Sequence, residues 1–205
     1  MSSRPLATLP RLHAVTDERI AHLPDLADRA RALGSAGSVA LHARGHSLTG
    51  RAHLELARLL AEAAPNRLFV NDRLDVALAA GAAGVQLSAG GLTPRDARRL
   101  SVYWWIGASV HTLEEAAAAR DGGADYLLVG PVFPTPTHPE APPLGVRGLA
   151  RFVALGLPVV AIGGVTRANA RDVRSAGVHG VAVIRALWDA PDARQAVREI
   201  MKEIE

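Results

Sequence analysis

Short uninterrupted apolar runs alternate along the chain with longer stretches in which apolar residues recur at helical spacing. The runs at 12–15, 38–43, 67–70, 84–87, 105–110, 125–129, 158–162 and 180–184 are bounded by turn residues, as buried strands are. Between them lie the helical stretches. Residues 23–33 end at Gly34, and 48–64 carry Leu54, Leu56, Leu59 and Leu60 and stop at Pro65. A helix over 73–80 is closed by Gly81, and Thr93-Pro94 opens the next with a cap and a first-turn proline. Thr112 and Glu115 form a capping-box pattern, and further helices are expected at about 146–154, 166–176 and 191–204.

Strict alternation of strand and helix implies a parallel sheet. Eight such units in 205 residues imply a compact (β/α)8 TIM barrel occupying residues 1–205 as a single domain. An open doubly wound sheet is the rival, but it calls for a glycine-rich phosphate loop after the first strand, where this chain has Val15-Thr16-Asp17-Glu18.

Composition narrows the chemistry. The absence of cysteine removes thiolate catalysis, cysteine metal sites and disulfides. The one lysine, Lys202, sits near the C-terminus, so a Schiff-base mechanism has no amine in the body of the chain. Arginines are scattered through helical segments without a basic block, which argues against a nucleic-acid partner. No run is long and apolar enough for a membrane span, and nothing at the N-terminus has the apolar core of a signal peptide. A cytoplasmic enzyme is expected; a homo-oligomer is left open.

One stretch does not fit strand or helix. Gly130 to Gly145, GPVFPTPTHPEAPPLG, carries prolines at 131, 134, 136, 139, 142 and 143 directly after the sixth strand. Prolines exclude helix and central strand, so this is a long loop at the carboxyl end of a barrel strand, where such loops are functional. It offers Thr135, Thr137 and His138. Other strand ends deliver His42 and Arg44, Asn71 and Asp72, Gln86, Ser109 and His111, then Gly163-Gly164, and Ile184-Arg185. The glycine pair after strand seven, facing the end of strand eight, is expected to bind phosphate through backbone N–H groups, with Arg185 adding charge. Asn71-Asp72 reads equally as a substrate- or metal-holding pair or as a helix cap.

The segments FVNDRLDVAL, SVHTLEEA, GPVFPTPTHPEAPPLG, VVAIGGV and GVAVIRAL, in this order, resemble the thiamin phosphate synthase superfamily from about Leu12 to Leu187. That group contains the synthase and the TenI branch of thiazole tautomerases, and it implies a (β/α)8 barrel acting on a thiazole phosphate. The resemblance implies that Gly163, Gly164 and Ile184 hold the phosphate, with Thr135 and Thr137 nearby. A synthase joins hydroxymethylpyrimidine pyrophosphate to the thiazole phosphate, with magnesium aiding departure of pyrophosphate. Its Gln-x-Arg-x-Lys pattern at strand two reads Ala40, His42, Arg44 here, its second metal aspartate is Gly91, and its loop lysine is His138. Those losses of charge favour the tautomerase branch, which moves a proton and needs no metal or other cofactor. Pro131 stands where a member of the family has a histidine, so His138 and then His42 become the expected proton carriers, with Arg44, Asn71, Asp72 and Ser109 around the substrate. The synthase itself, a thiazole-phosphate-binding protein without catalysis, and a sugar-phosphate isomerase remain as alternatives.

Overall fold

The computed structural model describes residues 6–135, 140 and 142–205. Within them the chain runs β1 (Leu12–Val15), α1 (Glu18–Ala21), α2 (Leu26–Ser35), β2 (Val39–Ala43), α3 (Gly50–Ala63), β3 (Leu68–Asn71), α4 (Leu74–Ala79) and β4 (Gly84–Leu87). It continues with α5 (Pro94–Leu100), β5 (Trp105–Val110), α6 (Leu113–Asp121), β6 (Tyr126–Val129) and α7 (Gly145–Val153). The last elements are β7 (Val159–Ile162), α8 (Arg167–Ser175), β8 (Gly180–Val183), α9 (Arg185–Trp188) and α10 (Ala193–Ile204). The eight strands pair in parallel in sequence order, and β8 closes on β1 with Leu12 opposite Val181. This is a single closed (β/α)8 barrel, as the alternation of segments predicts.

Closure buries both faces of every strand, and the core divides accordingly. Outside the sheet, Leu41, Ile106, Val129 and Val181 pack against helix residues such as Leu60, Val173 and Ile200 in one continuous layer. Inside the barrel a smaller cluster contains Val15, Ala40, Phe69, Tyr126, Leu128, Val160 and Ala182. Two glycines make room for its large rings. A Cβ at Gly84 would lie 2.4 Å from Phe69 Cε1, and one at Gly107 would lie 2.2 Å from Tyr126 Cζ. The interior also holds the fully buried imidazoles of His13 and His42, which sit among Phe69 and Tyr126.

Helix starts follow local chemistry. Thr93 accepts from the N–H of Asp96, whose carboxylate accepts from the N–H of Thr93, and Pro94 fills the first turn. Thr112 and Glu115 repeat the arrangement at α6. Two features depart from the sequence reading. Gly34 lies inside α2 rather than ending it, because its missing side chain lets Ala63 approach; a Cβ there would fall 2.0 Å from the Ala63 oxygen. And two four-residue helices, α1 and α9, were hidden in stretches too short to show a helical period.

Candidate active site

Parallel strands all end on one rim, so their carboxyl-terminal residues converge there. The rim encloses a cavity of about 370 Å³ whose lining includes Arg44, Asn71, Ser88, Ser109, His111, Thr135, Gly163, Gly164, Ile184 and Arg185.

One side is built for an anion. After β7 the chain turns through Gly163 (φ 98°) and Gly164 (φ 65°), a backbone region that favours glycine. The loop after β6 lies directly on this turn. A Cβ at Gly163 would stand 2.6 Å from Pro131 Cα, and one at Gly164 would stand 2.7 Å from Phe133 Cβ. The backbone N–H groups of Val132 and Phe133 donate to the carbonyls of Ile162 and Gly163 at 2.9 and 3.0 Å. That pairing consumes the carbonyl side of the turn. Among the described residues no group accepts from the N–H of Gly163, Gly164 or Ile184, all of which line the cavity. Helix α9 begins at Arg185 beside them. N–H donors from the loops after strands seven and eight, beside a short helix start, are an arrangement chemically suited to an anion. Asn169 steadies it by donating from its side-chain amide to the Gly164 carbonyl at 3.0 Å.

The opposite side is formed by the ends of β2 to β5. Thr16 is fully buried; its hydroxyl lies 3.0 Å from the His42 carbonyl and 2.8 Å from the Arg44 carbonyl, and it accepts from the Arg44 N–H at 2.8 Å. That junction fixes the backbone from which the Arg44 side chain enters the cavity. An Arg44 Nη2–H donates to His46 Nε2 at 2.5 Å. Asp72 adopts φ 59°, and its carboxylate accepts from the Ser88 N–H and hydroxyl, both at 2.7 Å. It is therefore neither a cap of α4, whose flanking residue is Arg73, nor part of the cavity lining. It ties the β3 end to the β4 loop and so places Ser88.

His111 was counted only among the strand ends, and the structure gives it a larger place. Its Nδ1–H donates to the Gly130 carbonyl at 2.7 Å, which leaves Nε2 as an acceptor on a cavity-lining ring. Its neighbourhood in SVHTLEEA was the available signal.

His42 does not reach the cavity. It is fully buried beneath it, with Nε2 2.8 Å from His13 Nδ1 and Nδ1 3.3 Å from the Asn71 amide. Burial lowers its pKa to about 4, partly countered by the bond to Asn71. The expected role of His42 as a proton carrier is corrected accordingly: an inward-pointing residue one layer below the rim cannot touch a ligand. Thr137 and His138 lie outside the described residues.

A divalent cation is implied by the resemblance, and the donor set can be tested against it. Magnesium takes oxygen ligands, mainly carboxylates, waters and phosphates. Among the described residues no three His, Asp or Glu side chains come together to hold a metal. Asp72 spends its oxygens on Ser88, and Gly91, whose Cβ would stand 4.0 Å from Asp72 Oδ1, brings no carboxylate. These residues do not make up a cation site by themselves.

Fold and rim together define a (β/α)8 barrel with backbone N–H donors gathered at the ends of β7 and β8. Comparison with known proteins is more specific: residues 12–187 match the family model for thiamine monophosphate synthase, and the chain belongs to that family. Thiamine-phosphate synthase of Pyrococcus furiosus is 40% identical over 199 residues, covering 95% of each chain. The corresponding enzyme of Methanoculleus marisnigri is 40% identical over 94% of each. Among solved structures, thiamine phosphate pyrophosphorylase from Pyrococcus furiosus superposes with a TM-score of 0.80 at 37% identity, covering 95% of both chains. A 3-hexulose-6-phosphate synthase at 18% identity and TM-score 0.72 shares the fold alone.

These relatives overturn the expected tautomerase activity and its TenI assignment. A few missing charges at strand two, Gly91 and the long loop favoured an isomerase. Similarity to synthases across nearly the whole chain outweighs those positions.

Proposed function

We propose that this protein is a transferase that joins an aminopyrimidine-methyl pyrophosphate to a thiazole phosphate, forming thiamine phosphate and releasing pyrophosphate. The observation that carries the reading is the near-full-length similarity to thiamine-phosphate synthases, together with a cavity whose described residues gather backbone N–H donors at the ends of β7 and β8 and place Arg44 opposite. The thiazole phosphate seats on the N–H groups of Gly163, Gly164 and Ile184, with Arg185 at the entrance. That leaves the β2 to β5 side for the pyrimidine and its pyrophosphate.

In the reaction the thiazole nitrogen attacks the methylene carbon, the carbon–oxygen bond to pyrophosphate breaks, and the electron pair leaves with the pyrophosphate oxygen. No proton must be removed from either substrate. The chain's task is therefore to align nitrogen and methylene and to receive negative charge on the leaving group. Arg44 is the fixed cation on the pyrimidine side and meets that charge. Ser109, whose hydroxyl oxygen accepts from the Gln86 side-chain amide at 3.0 Å, keeps its O–H as a donor beside it, and Nε2 of His111 accepts from a substrate donor. Apolar walls from Val15, Leu128 and Ile162 exclude water, which would otherwise compete for the methylene carbon.

Purified protein given both substrates is expected to release one pyrophosphate for each thiamine phosphate formed, followed by chromatography and a coupled pyrophosphate assay. Tight binding of thiazole phosphate with no turnover, with or without added magnesium, would sink the enzyme reading and leave a binding protein.

A further inference from the structure

A transfer that expels pyrophosphate needs positive charge on the departing oxygens, and a divalent cation held by carboxylates is one way to supply it. Here the carboxylates that flank the rim are engaged elsewhere. Asp72 Oδ1 accepts from the Ser88 N–H and Oδ2 from the Ser88 hydroxyl, both at 2.7 Å. Asp17 accepts from the Ile20 N–H at 2.8 Å, Glu18 from the Ser47 N–H at 2.9 Å and Glu115 from the His111 N–H at 2.7 Å. Glu140, in the loop after β6, is exposed. Among the described residues no Asp or Glu lines the cavity. A cation drawn to Asp72 would compete with both bonds to Ser88, and Gly91 beside it brings no second carboxylate.

The same rim carries a cation of the chain's own. Arg44 lines the cavity, and three contacts hold it in place. The Thr16 hydroxyl clamps its backbone, with both the Arg44 N–H and the Arg44 carbonyl at 2.8 Å. Glu18 holds the loop that follows, through the Ser47 N–H. His46 Nε2 accepts from Arg44 Nη2 at 2.5 Å, which fixes the direction of the guanidinium. A guanidinium has five N–H groups, so the bond to His46 leaves the others to meet phosphate oxygens in pairs, as arginine does better than lysine.

We infer that Arg44 takes the place of a protein-held divalent cation: the pyrophosphate group binds to this chain, and departs from it, on Arg44 with no metal ligated by the protein. Asp72 is then a tie between β3 and the β4 loop and not a metal ligand. The inference rests on the synthase reading for its substrate, and it parts from the magnesium-assisted reaction that the family resemblance implies. Its ground is the donor set: a rim with arginine and backbone N–H groups facing in, and carboxylates turned to other partners.

The first test needs no turnover. Inorganic pyrophosphate titrated calorimetrically into the protein in EDTA is expected to bind, and Arg44→Gln is expected to weaken it by about tenfold or more, the loss of one paired charged contact. Mn2+ followed by electron paramagnetic resonance is expected to stay free in the presence of the protein. Asp72→Asn keeps the shape of the tie and removes the carboxylate charge; its pyrophosphate affinity in EDTA is expected to match the wild-type value. Stoichiometric Mn2+ binding that Asp72→Asn abolishes, pyrophosphate binding that appears only with magnesium, or undiminished binding by Arg44→Gln would each overturn the proposal. Turnover then separates the two readings. Thiamine phosphate formed at full rate in EDTA supports both. Formation only with magnesium overturns this inference and leaves the synthase. Pyrophosphate bound on Arg44 in EDTA, with no thiamine phosphate formed under any condition, removes the synthase reading and leaves the metal-free anion site.

Discussion

Gly164 shows how one atom can decide a site. Its φ of 65° and the positions of Phe133 Cβ and the Pro134 oxygen, 2.7 and 2.8 Å from where a Cβ would sit, leave no room for a side chain. Gly164→Ala forces either the turn or the β6 loop to move, with a backbone cost of about 1–2 kcal/mol. Because the turn itself carries the N–H groups proposed to hold the phosphate, we expect thiazole phosphate affinity measured by calorimetry to fall by about tenfold or more, the loss that accompanies one misplaced anion contact. An unchanged Kd would mean that the phosphate sits elsewhere in the mouth. Residue identity alone suggested this glycine pair but mistook His42. A histidine at a strand end is expected in the site, yet whether it points into the cavity or one layer beneath depends on strand tilt and register, here Val15 opposite His42.

At the scale of elements, the end of the barrel away from the site is held by α5. Arg98 donates to Asp125 Oδ2 at 2.7 Å, and to the carbonyls of Trp104 at 3.0 Å and Val102 at 3.2 Å. Asp125 also accepts from the Ile106 N–H at 2.8 Å, so one carboxylate joins α5 to the starts of β5 and β6. The pair is mostly but not fully buried, with side-chain exposure of 28% and 17%. Asp125→Ala leaves a guanidinium and a backbone N–H short of a partner, and we expect a loss of about 2–3 kcal/mol. Urea unfolding should record this as a lower midpoint at constant slope, while KM for either substrate stays at the wild-type value. A shift below about 0.5 kcal/mol would mark the bridge as a surface pair. Capping signals here were legible because they are local: Thr93-Pro94 and Thr112 with Glu115 each specify a helix start within four residues. Helices α1 and α9 were not legible, since one turn carries no period, and α9 owes its place to the barrel rim it follows.

Over the whole molecule, the polar barrel interior predicts a pH response. His42 titrates at about 4 in the folded protein and His13 is also held well below 6.5, with desolvation first and the neighbouring imidazoles adding to the effect on His13. Unfolded histidine titrates near 6.5, so between that value and the folded pKa the unfolded chain binds more protons. Stability therefore rises with pH through this window, is fully present above about pH 6.5, and is lost as pH falls toward about 4. Each ring contributes about 1.4 kcal/mol per pH unit inside the window. Chemical denaturation from pH 7.5 to 4.5 should follow this slope, and His42→Gln should flatten it. A pH-independent midpoint in the wild-type protein would contradict neutral buried imidazoles.

The chain by itself determined the architecture, because eight apolar runs alternating with amphipathic segments leave a parallel barrel as the arrangement that buries them all. It also marked the Gly163-Gly164 turn on the cavity rim, since a Gly-Gly pair after an apolar run is a local backbone instruction. Tertiary structure alone decided the rest. It put His13, 29 residues away from His42, against that ring, spent the Asp72 carboxylate on Ser88, and brought His111 to Gly130. These pairings join residues on different strands, and their geometry is set by register and barrel closure, which no local spacing encodes. The choice between synthase and tautomerase lay deeper still: counting charges at strand ends favoured the wrong reaction, because the reaction depends on how a whole cavity receives two substrates.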